Sequence, residues 1–571
     1  MMRPYLNTIK IVFFALFLML NYNLAISADY SYCGRFIIDG YFNDWNSIAS
    51  IDDKIGDANG KLDILQMKVG NDEKYVYFYV KFDSTINLQE NNNITLYIDN
   101  DNSATTGEQI NGIGADLVWH FGQRFGIFYV EKNKYFLKHS SIELVSLPSV
   151  TSNEFEIALP IDKTVYGNKI FPQSQFRFVL ATDTLGGDII PDNGKFINFT
   201  ISYCDQIPLQ IINIEKENTA FIRISAWNCL QDSISNPNLK GQFERILKTI
   251  NPDMMGLEEL YTTDETYVTK LFNEAIPETA FYIKKQPYTD IVLVSRYPIL
   301  ASKQIDGNAA FLIDMQNQFH TNALVIVAHL PASQNNDSRL KEVLDIVNFI
   351  YKAKNKQIWS NLEINSPIFV IGDMNFVGLK EQLDAMLSGI YQGSGSWNDW
   401  DNTAFAEANP RLTEEPFCYS WINNLSYYGP GKLDYIFYSD YVSDLKKSFV
   451  IYTTKMSNTA ISKYGLNYDD SPRASDHCPI VADFQLKNIS DVKTVNEQTQ
   501  QFQIENNAIV LKKNLNSFVI IYNILGQIVK QKQVKDTNKI NISDLKQGIY
   551  FIVIVDNKLN TQIRSSFIKN Y

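Results

Sequence analysis

The feature that most constrains this chain is an apolar run ended by polar side chains, Phe369-Val370-Ile371-Gly372-Asp373-Met374-Asn375. The run reads as a buried strand, and its end presents Asp373 and Asn375 two residues apart, on one face of an extended chain. A carboxylate there can orient or deprotonate a water. An amide beside it can hold an anionic oxygen without adding negative charge. Alone, Gly-Asp-x-Asn is also an ordinary turn sequence, so the flanking chain has to decide. Residues 220–228 alternate and end in Asn228, 242–250 read as a helix, and 254–257 as a strand leading into Glu258-Glu259. Strands are expected at 291–295 and 323–327, and an amphipathic helix at 338–351. This interleaving continues to about residue 486, which predicts an α/β domain with active groups at its strand ends.

Those ends deliver Asn228, Glu259, His329, Asp373, Asn375, Asp434 and Ser475-Asp476-His477. Only five histidines occur in the chain, and two of them fall here. Hard oxygen ligands with two imidazoles and two amides suit a Mg²⁺ or Ca²⁺ phosphoesterase and do not suit zinc. The cysteines agree, since no pair of Cys33, Cys204, Cys229, Cys418 and Cys478 has metal-ligand spacing.

In order and spacing, Trp227-Asn228, Leu257-Glu258-Glu259, Gly372-Asp373-Met374-Asn375, Leu433-Asp434-Tyr435 and Ser475-Asp476-His477 resemble the endonuclease/exonuclease/phosphatase superfamily, from about Ala220 to Leu486. The resemblance implies a DNase I-like α/β four-layer sandwich that uses Mg²⁺ (or Mn²⁺ or Ca²⁺). It implies Glu259 as the main metal ligand, with Asn228 and Asp476 completing or supporting the site. Asp373 would orient or deprotonate the attacking water and Asn375 would hold a phosphate oxygen. Asp434 would pair with His477, and His329 would stabilise the transition state or protonate the leaving oxygen. Two positions depart from the family pattern. Glu258 stands where Gln is common, adding a charge beside the metal ligand, and Ala328 stands where a polar residue often precedes the histidine.

The remaining chain is built differently. Arg3 and Lys10, an apolar run over 11–20 and the small residues Ala25 to Ala28 read as a signal peptide over 1–28; the run is too short for a membrane anchor. From about Cys33 to Cys204 the chain is β-rich and reads as a β-sandwich. An oxidising compartment would let Cys33 and Cys204 staple its ends together. Ile38-Asp39-Gly40 with Asp44-Trp45, Gly56-Asp57, Tyr75-Val76-Tyr77-Phe78 and Ile98-Asp99-Asn100-Asp101 resemble family 9 carbohydrate-binding modules over 29–210. That resemblance implies glycan binding on aromatic faces and structural Ca²⁺ in acidic loops. Asp99, Asp101 and Asp116 are candidate Ca²⁺ ligands, while Trp45 and Trp119 serve either as sugar platforms or as core. Residues 205–218 read as a linker before a domain spanning 218–488. The tail, 495–571, reads as a small β-sandwich without catalytic residues. Its Val519 to Gln527, Leu545 to Phe551 and terminal Phe567-Ile568-Lys569 resemble the C-terminal sorting domains of type IX secretion.

The expected protein is therefore a secreted or cell-surface phosphoesterase with no transmembrane segment in its mature form. Its expected substrate is nucleic acid, DNA or RNA. A phosphomonoester or a sphingomyelin-like phosphodiester is the alternative, and so is a glycan-binding protein with an inactive α/β domain. A net charge of −12 weakens the nucleic-acid reading, because such substrates favour a basic footprint. Aromatic residues of the loop over 393–424 (Trp397, Trp400, Tyr419 and Trp421) either meet the substrate or form the loop's own core. Cys229 and Cys478 are expected in the core, and His120, His139 and His320 in structural or exposed positions.

Overall fold

The structure, a computed structural model, describes residues 29–487 apart from 59–60, 185–186, 193 and 205–208. In the tail it describes 502–505, 508–511, 517–523, 527–534, 539–556 and 561–569. The expected signal peptide, 1–28, lies outside the described residues. The chain divides into two compact units, with the boundary after Lys487.

In the first unit, residues 29–204 form two facing sheets, one of eight strands and one of five. The strand Tyr75–Ile86 lies inside the five-stranded sheet, between Ile64–Asn71 and Ser152–Pro160. Its alternation is buried on both faces. Val76, Phe78 and Val80 fill the sandwich core. Tyr75, Tyr77 and Tyr79 join a core shared with the central domain, where Tyr75 meets Phe417 edge-on at 4.9 Å. Main-chain bonds cross the same seam: Ile38 N–H donates to Pro416 O (2.8 Å) and Cys418 N–H to Ile38 O (3.0 Å). Trp45 and Trp119 are both buried, and Trp45 Nε1 donates to Glu156 Oε2 at 3.0 Å. These two indoles are core, not sugar platforms. Cys33 and Cys204 form the expected disulfide across 171 residues of sequence. The other three cysteines are free thiols, all buried. Of the expected linker, Ile214 is buried in the central domain's core and Ile212 N–H donates to Thr413 O at 2.9 Å.

The central domain stacks two sheets with helices outside them. Its main elements are β1 (Ile222–Asn228), α1 (Lys240–Ile250), β2 (Met254–Glu258), α2 (Glu265–Ala275), β3 (Asn322–His329), α3 (Asn336–Lys354), β4 (Ile368–Asp373), α4 (Lys380–Ser388), β5 (Asp434–Tyr438) and β6 (Ile480–Leu486). One sheet pairs β1 with β2 in parallel and with β6 in antiparallel. The other pairs β3 with β4 in parallel and β4 with β5 in antiparallel. Apolar side chains alternate along each strand, so one set faces the other sheet and the other set faces helices. Thus Ile224, Val325, Val327, Phe369 and Ile371 pack between the sheets. Met255 and Leu257 pack under α1 and α2 with Phe243 and Leu271. Ile326 and Val370 pack under α3 and α4 with Ile346 and Met386. The layer order is helix, sheet, sheet, helix, as expected of the four-layer sandwich.

In the second unit, a three-stranded and a four-stranded sheet enclose Ile509, Val519, Ile521, Ile552 and Ile554, a small β-sandwich.

Candidate active site

Strand register assembles the site. Along the second sheet His329 pairs with Asp373, and Asp373 with Asp434, so three polar strand ends lie side by side. On the first sheet Asn228 pairs with Glu258. Gly372 permits the close approach: its φ is +124°, and a Cβ there would lie 2.2 Å from Ala328 O and 2.7 Å from Glu258 Oε1.

Asp373 is the hub. Its Oδ2 accepts from Asn228 Nδ2 (3.1 Å) and Asn375 Nδ2 (3.0 Å), and its Oδ1 from Asn375 N–H (3.0 Å). Two imidazoles face the same oxygen, His329 Nε2 at 3.8 Å and His477 Nε2 at 3.6 Å. Burial raises the Asp373 pKa, against the pull of the two histidines. Asn375 also donates to Leu330 O at 2.9 Å, which ties Asp373 to the end of β3.

Each imidazole has its own carboxylate. His477 Nδ1 lies 2.8 Å from Asp434 Oδ2, which also accepts from Ser420 Oγ at 2.6 Å. Burial opposes a charge on His477, but Asp434 and Asp373 overcome it and push its pKa up to about 10. His329 Nδ1 lies 2.6 Å from Asp290 Oδ2, and the His329 N–H donates to Asn308 Oδ1 at 2.9 Å. Here too burial is outweighed, by the Asp290 hydrogen bond and the charges of Asp373, Asp290 and Glu259, giving about 9. Both rings are therefore imidazolium at neutral pH.

Asp290 was not anticipated from the sequence. It sits at the edge of the Val292–Ser295 strand with no motif around it. The available signal was the charge requirement: a buried imidazolium needs a carboxylate, and one expected pair already had its partner. Asp290 Oδ2 also accepts from Glu259 N–H at 2.9 Å, so it orients the Glu259 turn and the histidine together.

Glu259 leaves the end of β2 with a positive φ of 61°. Its Oε1 accepts from Asn228 Nδ2 (2.9 Å) and its Oε2 from Gln231 N–H (2.8 Å). Asn228 thus faces Glu259 with its donor end, supporting the carboxylate. The Asp476 carboxylate accepts instead from Trp421 Nε1 at 3.1 Å and Asn423 Nδ2 at 3.5 Å. The partners of the Glu259 carboxylate are nitrogens, Asn228 Nδ2, Gln231 N–H and, at 3.9 Å, His329 Nε2, so its own carboxylate is the hard oxygen ligand that this corner offers an alkaline-earth ion. One ligand atom each of Asp373, Asp434 and His477 also lies within 4.8 Å of the others. With His477 Nδ1 committed to Asp434, this group reads as a proton-handling pair beside Asp373.

Glu258 corrects an expectation. It is fully buried beneath the site, and both its oxygens lack a hydrogen-bond partner among the described residues. Burial first, then the charges of Asp434 and Asp373, raise its pKa well above the carboxylate range. It is an acid turned inward, where burial disfavours the charge that the departure from Gln would add beside Glu259. Cys229 and Cys478 are buried thiols as expected. In the long loop, Asp399 and Tyr419 are buried, Tyr419 in the core shared with the N-terminal sandwich, and Trp400 Nε1 donates to Ser366 O at 2.7 Å, so these side chains pack into the domain and form no separate loop core. Two residues differ, Trp421, which holds Asp476, and Trp397, which is exposed.

The N-terminal sandwich reaches this loop. Gly429 N–H donates to Gln89 Oε1 (2.8 Å) and Lys138 Nζ to Leu425 O (2.8 Å), while the Arg124 guanidinium lies 4.3 Å from the Tyr428 ring centre. His139 is buried against the same segment and is structural, as expected. In the sandwich itself, Asp99, Asp101 and Asp116 each place a carboxylate oxygen within 4.8 Å of the others.

Comparison with known proteins agrees with this architecture. Residues 225–477 match the model of the Endonuclease/Exonuclease/phosphatase family, and 496–570 match that of the Secretion system C-terminal sorting domain. No curated protein matches the chain. Similar solved structures include truncated TDP2 from Caenorhabditis elegans, 13% identical, covering 46% of this chain and 97% of that one, at a TM-score of 0.32. D. rerio TDP2 complexed with single-strand DNA product is 16% identical, covering 46% and 99% at 0.31. Sphingomyelinase C from Streptomyces griseocarneus is 14% identical, covering 46% and 99% at 0.29. No described helix is long and apolar enough to cross a membrane. The chain carries a domain of the endonuclease/exonuclease/phosphatase family, metal-dependent hydrolases of phosphoester bonds, followed by a sorting domain of type IX secretion that marks it as secreted or cell-surface.

Proposed function

We propose that the protein is a secreted phosphodiesterase that hydrolyses extracellular DNA or RNA and uses Mg²⁺, Mn²⁺ or Ca²⁺. The observation that carries this reading is the pair of imidazolium–carboxylate couples bracketing one oxygen of Asp373. A phosphodiester offers a poor alkoxide leaving group, so a proton donor opposite the attacking water is needed, and a second cation must meet the non-bridging oxygens. Asp373, its pKa raised by burial, takes the proton of the attacking water. His329, held in orientation by Asp290, donates a proton to the leaving oxygen. His477, kept cationic by Asp434, meets a phosphate oxygen; the Asn375 amide, expected to share that contact, gives both its N–H groups to Leu330 O and Asp373 Oδ2 and so holds the base in place instead. Asn228 holds Glu259 and Asp373 in register. A divalent ion held by Glu259, with Asp476 in support, would supply Lewis-acid compensation of the developing charge. Exposed Tyr261 and Tyr288, close in sequence to Glu259 and Asp290, offer faces on which bases can stack.

One observation favours a second substrate. Leu425 and Tyr427 project from the loop rooted at Trp421, and the chain is acidic. A zwitterionic phosphocholine headgroup, whose quaternary ammonium can face an acidic protein, on an apolar surface would suit that combination.

A panel of plasmid DNA, RNA, a phosphomonoester and sphingomyelin with Mg²⁺, Mn²⁺, Ca²⁺ or EDTA tests the proposal. DNA or RNA cleavage lost with EDTA and with Glu259→Ala supports it. Phosphocholine release with nucleic acid untouched would replace the substrate, and silence in every arm would refute the enzymatic reading.

The division into a signal peptide (1–28), a glycan-binding-like sandwich (29–210), a catalytic domain (218–488) and a sorting tail (495–571) is part of this proposal. So are structural Ca²⁺ at Asp99, Asp101 and Asp116 and a glycan ligand. Since Trp45 and Trp119 are core, a glycan would have to meet other aromatics, and glycan-array binding by the whole chain tests for it.

A further inference from the structure

A second acidic constellation lies in the N-terminal sandwich, away from Asp99, Asp101 and Asp116. One carboxylate oxygen from each of Asp53, Asp57 and Asp192 lies within 4.8 Å of the others, and the same holds for Asp57, Asp63 and Asp188. Asp57 belongs to both groups, which makes one cluster of five carboxylates. Opposite ligands of an ion with bonds of about 2.4 Å are themselves about 4.8 Å apart, so each triad has the span of a single coordination sphere.

Acidic clusters are common on surfaces, and proximity alone carries little. The burial and bonding of this one say more. Asp63 is 3% exposed and Asp188 is 7% exposed. Asp63 Oδ2 accepts from Gly56 N–H at 2.7 Å, but its Oδ1 is buried with no hydrogen-bond partner. Asp53 Oδ2 and Asp57 Oδ1 are orphaned in the same way. Each triad thus holds two carboxylates with an unpartnered buried oxygen, Asp53 and Asp57 in one and Asp57 and Asp63 in the other, an arrangement that is costly unless a cation lies among them. Among the described residues no Lys, Arg or His forms an ion pair with any of the five. By contrast, at the other acidic triad the Arg177 guanidinium lies 3.6 Å from Asp99. Without a counter-ion, burial and the charges of Asp188, Asp57 and Asp192 push Asp53 up to about 7.

We propose that Asp53, Asp57, Asp63, Asp188 and Asp192 form a divalent-cation site of the calcium class that fastens the two sheets of the sandwich together. Asp53, Asp57 and Asp63 lie on the loop joining Ile51–Asp52 to Ile64–Asn71, in the five-stranded sheet. Asp188 and Asp192 flank Ile189–Ile190, which pairs with the Gln175–Thr182 strand of the eight-stranded sheet. One direct bond already crosses, from Ile64 N–H to Asp188 Oδ2 at 2.6 Å. An all-carboxylate set on two loops suits the larger, geometrically tolerant Ca²⁺ better than Mg²⁺, and sites in extracellular modules typically bind at about 10⁻⁴ to 10⁻³ M.

The test is calcium titration of the EDTA-stripped full chain, in a Glu259→Ala background that removes the catalytic ion. Calorimetry counts bound ions and thermal unfolding reads their effect. The expected result is a bound equivalent and a rise in midpoint of roughly 5 °C at millimolar Ca²⁺, both lost in Asp57→Asn/Asp63→Asn but not in Asp101→Asn, which removes only the separate equivalent proposed at Asp99, Asp101 and Asp116. Equal Ca²⁺ stoichiometry and midpoint shift in the double variant would overturn the proposal, as would the absence of any shift in the parent. Should the double variant fail to fold, Asp192→Asn, at the exposed rim, is expected to weaken Ca²⁺ binding by about tenfold; an unchanged affinity there would overturn it equally.

Discussion

The sharpest consequence of the site geometry concerns Asp290 and His329. Asp290→Asn keeps the side-chain volume and removes the charge 2.6 Å from Nδ1. The rise of His329 from 6.5 to about 9 corresponds to about 3.4 kcal/mol at 1.36 kcal/mol per pKa unit. Burial works against that rise, so when the Asp290 charge goes the ring should titrate at about 6.5 or below. At pH 8 the imidazolium fraction would fall from about 0.9 to about 0.03, and turnover with it by roughly 30-fold, with recovery toward pH 6. The linkage has a definite sign. The folded-state pKa is raised, so the stabilisation is fully present below about 6.5 and is lost as pH rises through about 9. The variant should therefore be less stable than the parent at pH 6 and nearly equal to it above pH 10. With five histidines in the chain, NMR titration of the imidazole Cε1–H signals in metal-free protein reads the midpoint directly. A midpoint that stays near 9 in Asp290→Asn would refute the reasoning, because the remaining carboxylates would then be sufficient without Asp290.

Three further outcomes are expected. Asp373→Asn should lower turnover by about 10³ while the thermal midpoint holds, since an amide can keep part of the Asn228 and Asn375 network but cannot take a proton from water; single-turnover assays check this. Trp421→Phe removes the indole donor 3.1 Å from Asp476, so the half-saturating Mg²⁺ concentration should rise by about tenfold with turnover at saturating metal little changed. Cys33→Ser opens a bond closing 171 residues and should cost about 4–5 kcal/mol in non-reducing urea unfolding.

Local chemistry made much of this protein legible from sequence. Apolar runs bounded by Asn228, Asp373 and Asp434 mark strands that carry polar groups at their ends, and helical periodicity between them leads to the layered α/β architecture. The His477–Asp434 pair followed from the family resemblance, and the buried thiols Cys229 and Cys478 from strand alternation. The tail's two-sheet core followed from short β-runs. What only the tertiary structure decided depends on which surfaces meet. In Tyr75 to Phe82, alternation shows two faces but not that the tyrosine face is covered, by Phe417, from more than 300 residues away. Trp45 looks the same in sequence whether it meets sugar or Glu156. Asp290 joins His329, and Glu258 is held where a charge is disfavoured, because strand register and burial set their electrostatic surroundings. Those long-range terms arise only once the chain has folded, which is why an isolated Asp or Glu in the sequence could not announce them.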